Sequence, residues 1–296
     1  MANLKEVRNR IASVTSTQQI TKAMKMVSAA KLRRAQNAIV QMRPYSQKLG
    51  EILANVSGNL DEGSNNQFGQ SSETINRVLL IVVTSDRGLC GGFNSNIVKA
   101  TRSLLANEYK TQESAGNVDM LFIGKKAYEL FSKRDNVNSD FVGSFQNLSF
   151  DKIKGAAEFA MDGFSQGKYD RVDIVYNEFK NVATQIVRTE QFLPIVEAQS
   201  DSKEASTTNV DYIFEPSIDF ILQELIPKSL KIQLYKAVLE SAAGEHGARM
   251  AAMDKATENA GDLLKDLKLT YNRTRQAAIT TEILEIVGGA EALEQG

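Results

Sequence analysis

Residues 227–287 read PKSLKIQLYKAVLESAAGEHGARMAAMDKATENAGDLLKDLKLTYNRTRQAAITTEILEIV, and no proline interrupts them after Pro227. Mostly apolar and small residues recur there at alternating spacings of three and four, which is typical of a helix that packs along a second helix. The repeat falls on Ile232, Tyr235, Leu239, Ala242, His246, Arg249, Met253, Ala256, Ala260, Leu263, Leu267 and Thr270. The pattern predicts one helix from Pro227 to about Val287, roughly 90 Å long at 1.5 Å per residue.

The other end of the chain carries a similar pattern. A 3,4 repeat that turns polar halfway predicts a helix from Leu4 to about Ser57, roughly 80 Å long. Its first part is formed by Leu4, Val7, Ile11, Val14, Gln18 and Thr21. A face in a shifted register is predicted to continue it through Met24, Val27, Ala30, Ala35, Ile39 and Met42. Pro44 is expected to bend this helix, because proline removes a hydrogen-bond donor and crowds the preceding turn.

The lengths of the two predicted helices decide the fold class. A compact chain of 296 residues has a diameter of only about 50 Å, so helices this long must pair with each other. The sequence therefore predicts an α/β fold with a long antiparallel coiled coil of N- and C-terminal helices and an inserted domain. The predicted domain boundaries are 1–58 for the first helix, 59–76 for a linker, 77–215 for the insert and 216–296 for the last helix.

The insert alternates between strand and helix patterns. Such alternation is typical of a doubly wound, Rossmann-like α/β sheet. Strands are predicted at 77–85, 118–123, 141–145, 171–176 and 183–192, with helices at 94–109, 125–133 and 151–166. The last two strands are expected to form a hairpin around Asn181, and the polar stretch 199–209 is expected to be a loop.

Composition excludes several classes of site. Cys90 is the only cysteine and His246 the only histidine, so neither an internal disulfide nor a zinc site of several Cys and His ligands can form. The N-terminus has no apolar signal-peptide core, and the longest aliphatic run, 78–83, is too short to span a membrane. Membrane association is therefore expected only through a partner.

The stretch TSDRGLCGGFN at 84–94 is the strongest candidate for a ligand site, because it follows a predicted strand and opens a predicted helix. It matches neither the dinucleotide nor the P-loop pattern. A cysteine nucleophile at Cys90 would need a base, and the only histidine lies far away in sequence on the last helix. We therefore interpret the stretch as a tight structural turn and predict no catalytic residue, cofactor or metal.

The first helix is strongly basic. Residues 1–48 contain ten Lys or Arg and only one acidic residue, Glu6, although the whole chain has a net charge of −1. A solvated face, nucleic acid or an acidic protein partner could each explain this. Residues 1–44 contain no aromatic residue for base stacking, which favours the protein partner.

The end of the last helix is apolar instead. A contiguous apolar surface of this kind is expected to bind a partner surface that covers it. It comprises Ile279, Ile283, Leu284, Ile286, Val287, Ala290, Ala292 and Leu293. Further back on the same helix, Arg249 is the best candidate for reaching an outside carboxylate, because its planar guanidinium suits bidentate pairing.

Four stretches together resemble one family. They are LKEVRNRIASV at 4–14, ITKAMKMVSAAKL at 20–32, SDRGLCGGFN at 85–94 and ITTEILEIVGGA at 279–290. They are similar, in this order and over nearly the whole chain, to the gamma subunits of F-type ATP synthases of the bacterial type. One departure is Gly288, where the family commonly has serine.

The resemblance implies a non-catalytic central-stalk rotor subunit that couples proton flow through the c-ring to the catalytic beta subunits by rotation. Its implied partners are the alpha and beta subunits, epsilon and the c-ring, with no nucleic acid, at the cytoplasmic face of the bacterial inner membrane. Met24 and Lys25 would face acidic lever loops of beta, and Arg249 and Gln276 would bind a beta catch loop, with Thr280 and Glu282 nearby. An apolar sleeve of the alpha/beta ring would surround Ile283, Leu284, Ile286, Val287 and Leu293.

Two other functions follow from the residues alone. A nucleotide-binding enzyme on the α/β insert would bind ATP or a dinucleotide as an isolated chain. A coiled-coil nucleic-acid-binding protein would retain DNA or RNA in a salt-sensitive way.

Overall fold

The computed structural model describes residues 4–57, 68–69, 74–146, 148–182, 184–195 and 218–294. Two long helices, α1 (Leu4–Ser57) and α6 (Ile218–Glu294), stand first and last in the chain. The prediction of one long helix at each end is confirmed. Most of the predicted linker and the predicted loop at 199–209 lie outside the described residues.

Helix α6 begins earlier than predicted, at Ile218 rather than Pro227, and it ends at Glu294. Pro227 therefore lies inside the helix instead of in its first turn. Ile226 and Leu230, close to the proline, are both buried in the hydrophobic core. Their burial offsets the backbone hydrogen bond that proline cannot donate, so the helix continues.

The chain forms two compact units. One consists of Met1–Ser28 and Arg249–Gly296, and the other of Ala29–Ala248. In the first unit, α1 and α6 run antiparallel: Lys25 contacts Asp254, Thr21 contacts Thr257, and Gln18 approaches Gly261. A Cβ at Gly261 would lie 3.1 Å from Gln18 Nε2, so glycine allows the helices to approach closely.

The buried seam of α1 differs from the predicted one after Thr21. Val27 is 57% exposed and Ala30 is also exposed, whereas Ser28 and Leu32 are buried. Because two apolar stripes run along this helix, the sequence pattern alone did not identify the one that packs. On α6, likewise, Leu264 is buried and the predicted Leu263 is exposed.

The second unit contains one five-stranded sheet in the order β3-β2-β1-β4-β5. Its strands are β1 (Val78–Val83), β2 (Val118–Ile123), β3 (Val137–Asn138), β4 (Arg171–Phe179) and β5 (Gln185–Leu193). The first four are parallel, and β5 pairs antiparallel to β4 through the predicted hairpin at Asn181. Since the chain starts at β1 and moves outward on both sides, the sheet is Rossmann-like, as predicted.

One predicted strand is wrong. Residues 141–145 contain a 3-10 turn, Val142–Ser144, and the edge strand is instead the two-residue β3. Phe141 and Val142 pack against helices and the sheet rather than pairing in it. The apolar residues of this short run thus pack against the core without forming a strand. Hydrophobic periodicity does not distinguish these two cases in so short a segment.

Helices cover both faces of the sheet. They are α2 (Phe93–Asn107), α3 (Lys110–Ser114), α4 (Lys125–Phe131) and α5 (Phe150–Ser165). One core places α5 and residues of α6 against the sheet, and the other places α2 and α4 against the opposite face. Every residue of β1 is buried, which explains its uninterrupted aliphatic sequence.

Candidate partner-binding surfaces

The C-terminal end of α6 has no cover among the described residues. Up to residue 290, Tyr271 and Thr274 are the last half-buried residues of the helix, and all residues from 275 to 290 are exposed. The large apolar side chains of this end are 48–66% exposed. They are Ile279, Ile283, Leu284, Ile286 and Val287. The side chain of Leu293 lies outside the described residues.

The exposed end carries apolar residues on more than one side. Gln276, Thr280, Ile283 and Val287 follow a 3,4 spacing and share one stripe. Leu284 and Ile286 point in other directions, because successive helical residues are rotated by about 100°. The Thr280 hydroxyl donates to the Gln276 carbonyl oxygen over 2.9 Å, so its polarity is satisfied within the helix. An occupant that covers only one side would leave apolar surface in water.

The proposed contact residues do not form one cluster. Arg249 is half-buried, whereas Gln276, Thr280 and Glu282 lie on the exposed end of α6. Along a helix, the 27 positions from Arg249 to Gln276 correspond to about 40 Å. Arg249 and Gln276 can therefore only serve two separate contacts.

Lys25 and Met24 lie on α1, in the same compact unit as Arg249. The ammonium group of Lys25 contacts Asp254 Oδ1 at 2.5 Å, and Met24 is half-buried. Sequence reasoning missed this ion pair, because positions 229 residues apart carry no local signal. It also missed the exposure of Ile20, Met26 and Val27 on the same helix.

The basic residues of α1 point mostly to solvent. The exposed ones are Lys5, Arg8, Arg10, Lys22, Lys31, Arg33, Arg34, Arg43 and Lys48. With few acidic residues near them in sequence, they create a positive potential along this helix. An acidic partner is the chemistry that such a surface attracts.

The glycine-rich stretch between β1 and α2 is held by its own hydrogen bonds. Asn94 Oδ1 accepts from the Ser85 backbone N–H at 3.0 Å, and Ser85 Oγ donates to the Arg87 carbonyl at 2.6 Å. Asn94 Nδ2 also donates to the sulfur of Cys90, which is buried. These polar groups are used inside the turn, which fits the structural interpretation.

His246 lies beside an acidic side chain of the same helix. Its Nδ1 lies 2.5 Å from a carboxylate oxygen of Glu245, a buried neighbour on α6. Among the residues that the structure describes, no group of three or more His, Cys, Asp or Glu could hold a metal ion. In the same part of the chain, no helix is long and apolar enough to cross a membrane.

The described residues thus define a class: an α/β chain with long terminal helices that pair with each other, and with an apolar helix end that no other described residue covers. The ATP synthase family model matches residues 3–293. The chain is 62% identical over 294 residues to the ATP synthase gamma chain of Cytophaga hutchinsonii and 54% identical to that of Flavobacterium psychrophilum. The first alignment covers 99% of both chains, and the second covers 99% and 100%. The chain belongs to the ATP synthase gamma-chain family.

Solved structures agree with this family. A chain of the Tetrahymena thermophila mitochondrial ATP synthase central stalk and c-ring is 26% identical, with a TM-score of 0.55 over 80% of this chain and 99% of that chain. A chain of the Euglena gracilis mitochondrial ATP synthase, in a structure of OSCP, F1 and c-ring, has a TM-score of 0.63. It covers 99% of this chain and 95% of that chain at 22% identity, which compares folds only.

Proposed function

We propose that this chain is the non-catalytic, torque-transmitting central-stalk subunit of a bacterial F-type ATP synthase. It couples proton flow through the c-ring to the conformational cycle of the catalytic beta subunits by rotating. The observation that carries the proposal is the stretch 275–290 of α6, which is rich in apolar side chains and exposed throughout. Burying apolar surface is worth about 25 cal/mol per Å². A sleeve of partner chains would bury the apolar side chains on every side of the helix, whereas a single groove would bury those on one side only.

Rotation can change the catalytic sites because the shaft is asymmetric. An asymmetric shaft inside a ring of alternating alpha and beta subunits contacts each beta subunit differently. A contact that differs between two conformations shifts the equilibrium between them, so turning the shaft changes which catalytic site is open. Apolar side chains suit the sleeve contact, because their attraction is non-directional and tolerates turning.

Specific contacts are proposed at two levels. Gln276 binds a catch loop of beta, with Thr280 and Glu282 nearby. Arg249 lies about 40 Å from Gln276 along α6 and binds a different part of the ring. Met24 and Lys25 face acidic lever loops. The pair of Lys25 with Asp254 is surface-exposed, with side chains 40% and 60% accessible. Such pairs contribute less than about 1 kcal/mol, so Lys25 can exchange Asp254 for a partner carboxylate.

The remaining parts of the proposal follow the family. Segments 1–58 and 216–296 form the shaft, and 77–215 contacts epsilon and the c-ring, with 59–76 as the linker. The chain meets the membrane only through the c-ring, at the cytoplasmic face of the bacterial inner membrane. It binds no cofactor and no nucleic acid, and nucleotide binds only to alpha and beta. The high identity to gamma chains of bacteria supports these assignments.

Reconstitution of the complex tests the proposal. The double variant Ile283→Asp/Ile286→Asp places two charges on the apolar end, and burying them in a sleeve is costly. We expect ATP-driven proton transport to fall about tenfold or more, which corresponds to about 1.4 kcal/mol or more. Ser103→Asp, on the exposed surface of α2, is the matched control and should transport normally. Normal transport by the double variant would contradict the sleeve.

The non-catalytic assignment has its own test. Equilibrium dialysis of the isolated chain against ATP and a dinucleotide should show no stoichiometric binding. Saturable binding of one nucleotide per chain would instead support an enzyme on the α/β sheet. A gel shift with DNA and RNA across a salt titration should show no retained complex.

A further inference from the structure

The hairpin of β4 and β5 extends beyond the rest of the sheet. Strand β4 pairs with β1 only as far as Val175, whereas residues 176–179 pair with β5 alone among the described residues. Four strand residues correspond to about 13 Å. At the tip, the side-chain oxygen of Asn181 accepts a backbone N–H of the turn at 2.7 Å. We call this projecting part, residues 176–182 and 184–188, the hairpin arm.

Helix α6 crosses the hairpin arm with two glycines on one face. A Cβ at Gly244 would lie 3.3 Å from Gln185 Cγ. A Cβ at Gly247 would lie 3.3 Å from Phe179 Cε2 and 3.5 Å from Val182 Cα. Residues three positions apart share a helix face, so both glycines meet the arm together. Glycine disfavours a helix interior, and the close approach of the arm explains its presence at both positions.

The base of the hairpin arm is tied to the sheet and to α2. Asn177 is buried, and its Nδ2 donates to the Phe93 carbonyl at 3.3 Å. Nearer the sheet, Glu190 accepts from the Tyr176 hydroxyl at 3.1 Å and from Gln233 Nε2 of α6 at 2.7 Å. Helix α6 is thus held at the arm and, about three turns earlier, at Gln233.

The neighbours of the two glycines are large. Glu245 follows Gly244, and His246 precedes Gly247. Successive helical residues are rotated by about 100° about the axis. If α6 turned by one position, His246 would replace Gly247 in one direction, and Glu245 would replace Gly244 in the other. Neither side chain fits where a Cβ alone would lie 3.3 Å from its neighbour. The arm therefore opposes turning of the helix in both directions.

We propose that the hairpin arm locks α6 against rotation relative to the sheet, with Gly244 and Gly247 as positioning residues, so that torque passes through this contact. The inference rests on the proposed function, because torque is transmitted only in a rotor. The hydrogen bond at Gln233 does not provide such a lock, since water can replace its partners. Steric overlap has no such substitute. Helix α6 continues from the arm to Glu294 and carries the torque along the shaft.

Widening the contact tests the lock in the assembled complex. Gly247→Leu inserts a side chain into a filled space and forces the arm away from α6. ATP hydrolysis should persist, while the number of protons transported per ATP should fall about fivefold, because the helix then slips past the sheet. Ala251→Leu, exposed on the next turn of α6, is the matched control and should keep the ratio. An unchanged ratio in Gly247→Leu would overturn the lock.

A disulfide between the arm and α6 gives an independent readout. Because a Cβ at Gly247 would lie 3.5 Å from Val182 Cα, the two Cα atoms are at most about 5 Å apart, a distance that disulfides span. The double variant Val182→Cys/Gly247→Cys should crosslink on oxidation and transport protons as fast as its reduced form, since the lock stays closed throughout rotation. Val182→Cys alone controls for the oxidant. Transport that is lost on oxidation and restored by reduction would overturn the lock, as would a pair that never crosslinks.

The measurements also separate the two proposals. A complex that transports protons with the normal ratio after Gly247→Leu overturns the lock and leaves the rotor function intact. The disulfide pair still tests the lock if Gly247→Leu fails to assemble. A wild-type chain that never assembles with alpha and beta overturns the proposed function, and the lock with it.

Discussion

The hydroxyl oxygens of Thr21 and Thr257 lie 2.7 Å apart between α1 and α6. Thr21 donates to the Gln18 carbonyl at 3.0 Å and accepts the hydrogen bond from Thr257. The seam between these helices is thus polar at one level, with buried Ser28 as a second polar position on α1. A polar pair within an apolar seam specifies the register of two helices, because sliding would separate the two hydroxyls.

A double-mutant cycle tests the hydrogen bond between Thr21 and Thr257. Thr21→Val and Thr257→Val should each destabilise the chain, since the remaining hydroxyl loses a partner. The double variant should lose less than the sum, with a coupling energy of about 0.5–1.5 kcal/mol. Urea unfolding of the isolated chain measures the coupling. Thr17→Val, at an exposed position of α1, should be additive with Thr257→Val. Strict additivity of Thr21→Val with Thr257→Val would mean that the hydrogen bond is not formed.

Replacement of Gly124 by alanine should cause a severe loss of stability. It has a φ of 105° at the start of α4, and a Cβ there would lie 1.8 Å from the Thr84 carbonyl oxygen. Gly124→Ala must therefore move the end of β1, and we expect it to cost more than about 3 kcal/mol. Gly143→Ala is the matched control, because nothing lies within 4 Å of its Cβ. Guanidinium unfolding compares the two variants, and equal midpoints would contradict the predicted clash.

The raised pKa of Glu240 should make the stability of the fold depend on pH. Burial raises the pKa of this carboxyl above 4.5, Glu178 and Glu190 raise it further, and Lys236 and Arg43 lower it. The folded state therefore holds the proton to a higher pH than the unfolded chain. The contribution of Glu240 to stability is present below pH 4.5 and is lost as pH rises through the raised folded pKa.

Glu240→Gln tests this direction. The variant removes the titration, so its free energy of unfolding relative to the wild type should increase as pH rises through that window and then level off. Thermal unfolding from pH 4 to pH 8 provides the measurement. Glu6→Gln, at an exposed position of α1, should give a difference that does not change in this way. A constant difference for Glu240→Gln as well would show that burial does not shift its titration.

Substitutions of Gln276 and Arg249 should affect the coupling of the complex rather than the folding of this chain. Gln276→Ala and Arg249→Ala should each lower ATP turnover of the assembled complex about tenfold, or about 1.4 kcal/mol. The exposed side chain of Gln276 supports no part of the fold, so circular dichroism should stay unchanged. Asn259→Ala, also exposed on α6, should turn over ATP normally. Unchanged turnover in both variants would remove these residues from the proposed contacts.

The sequence predicted the elements that depend on long-range periodicity. A helix of 54 residues repeats its pattern many times, so α1 was recognisable from its apolar spacing. The choice between neighbouring stripes was not, because Val27 and Leu32 are both apolar and only tertiary packing selects Leu32. The start of α6 was misplaced for a related reason: the packing of Ile226 and Leu230 overrides the local preference of proline for a first turn.

The candidate surfaces were predictable only in part. The apolar end of α6 was visible as a run of Ile, Leu and Val, and its exposure needed the structure. The ion pair of Lys25 with Asp254 had no signal in the sequence, since surface charges pair according to tertiary geometry.

The central claim is that this chain turns inside a ring of catalytic subunits, and direct observation of rotation tests it. Lys110→Cys offers a single exposed thiol for a bead, since the native Cys90 is buried. With the alpha/beta ring fixed to a surface, addition of ATP should drive the bead in one direction, in discrete steps that correspond to the catalytic beta subunits. A bead that stays still while the same complexes hydrolyse ATP would contradict the account.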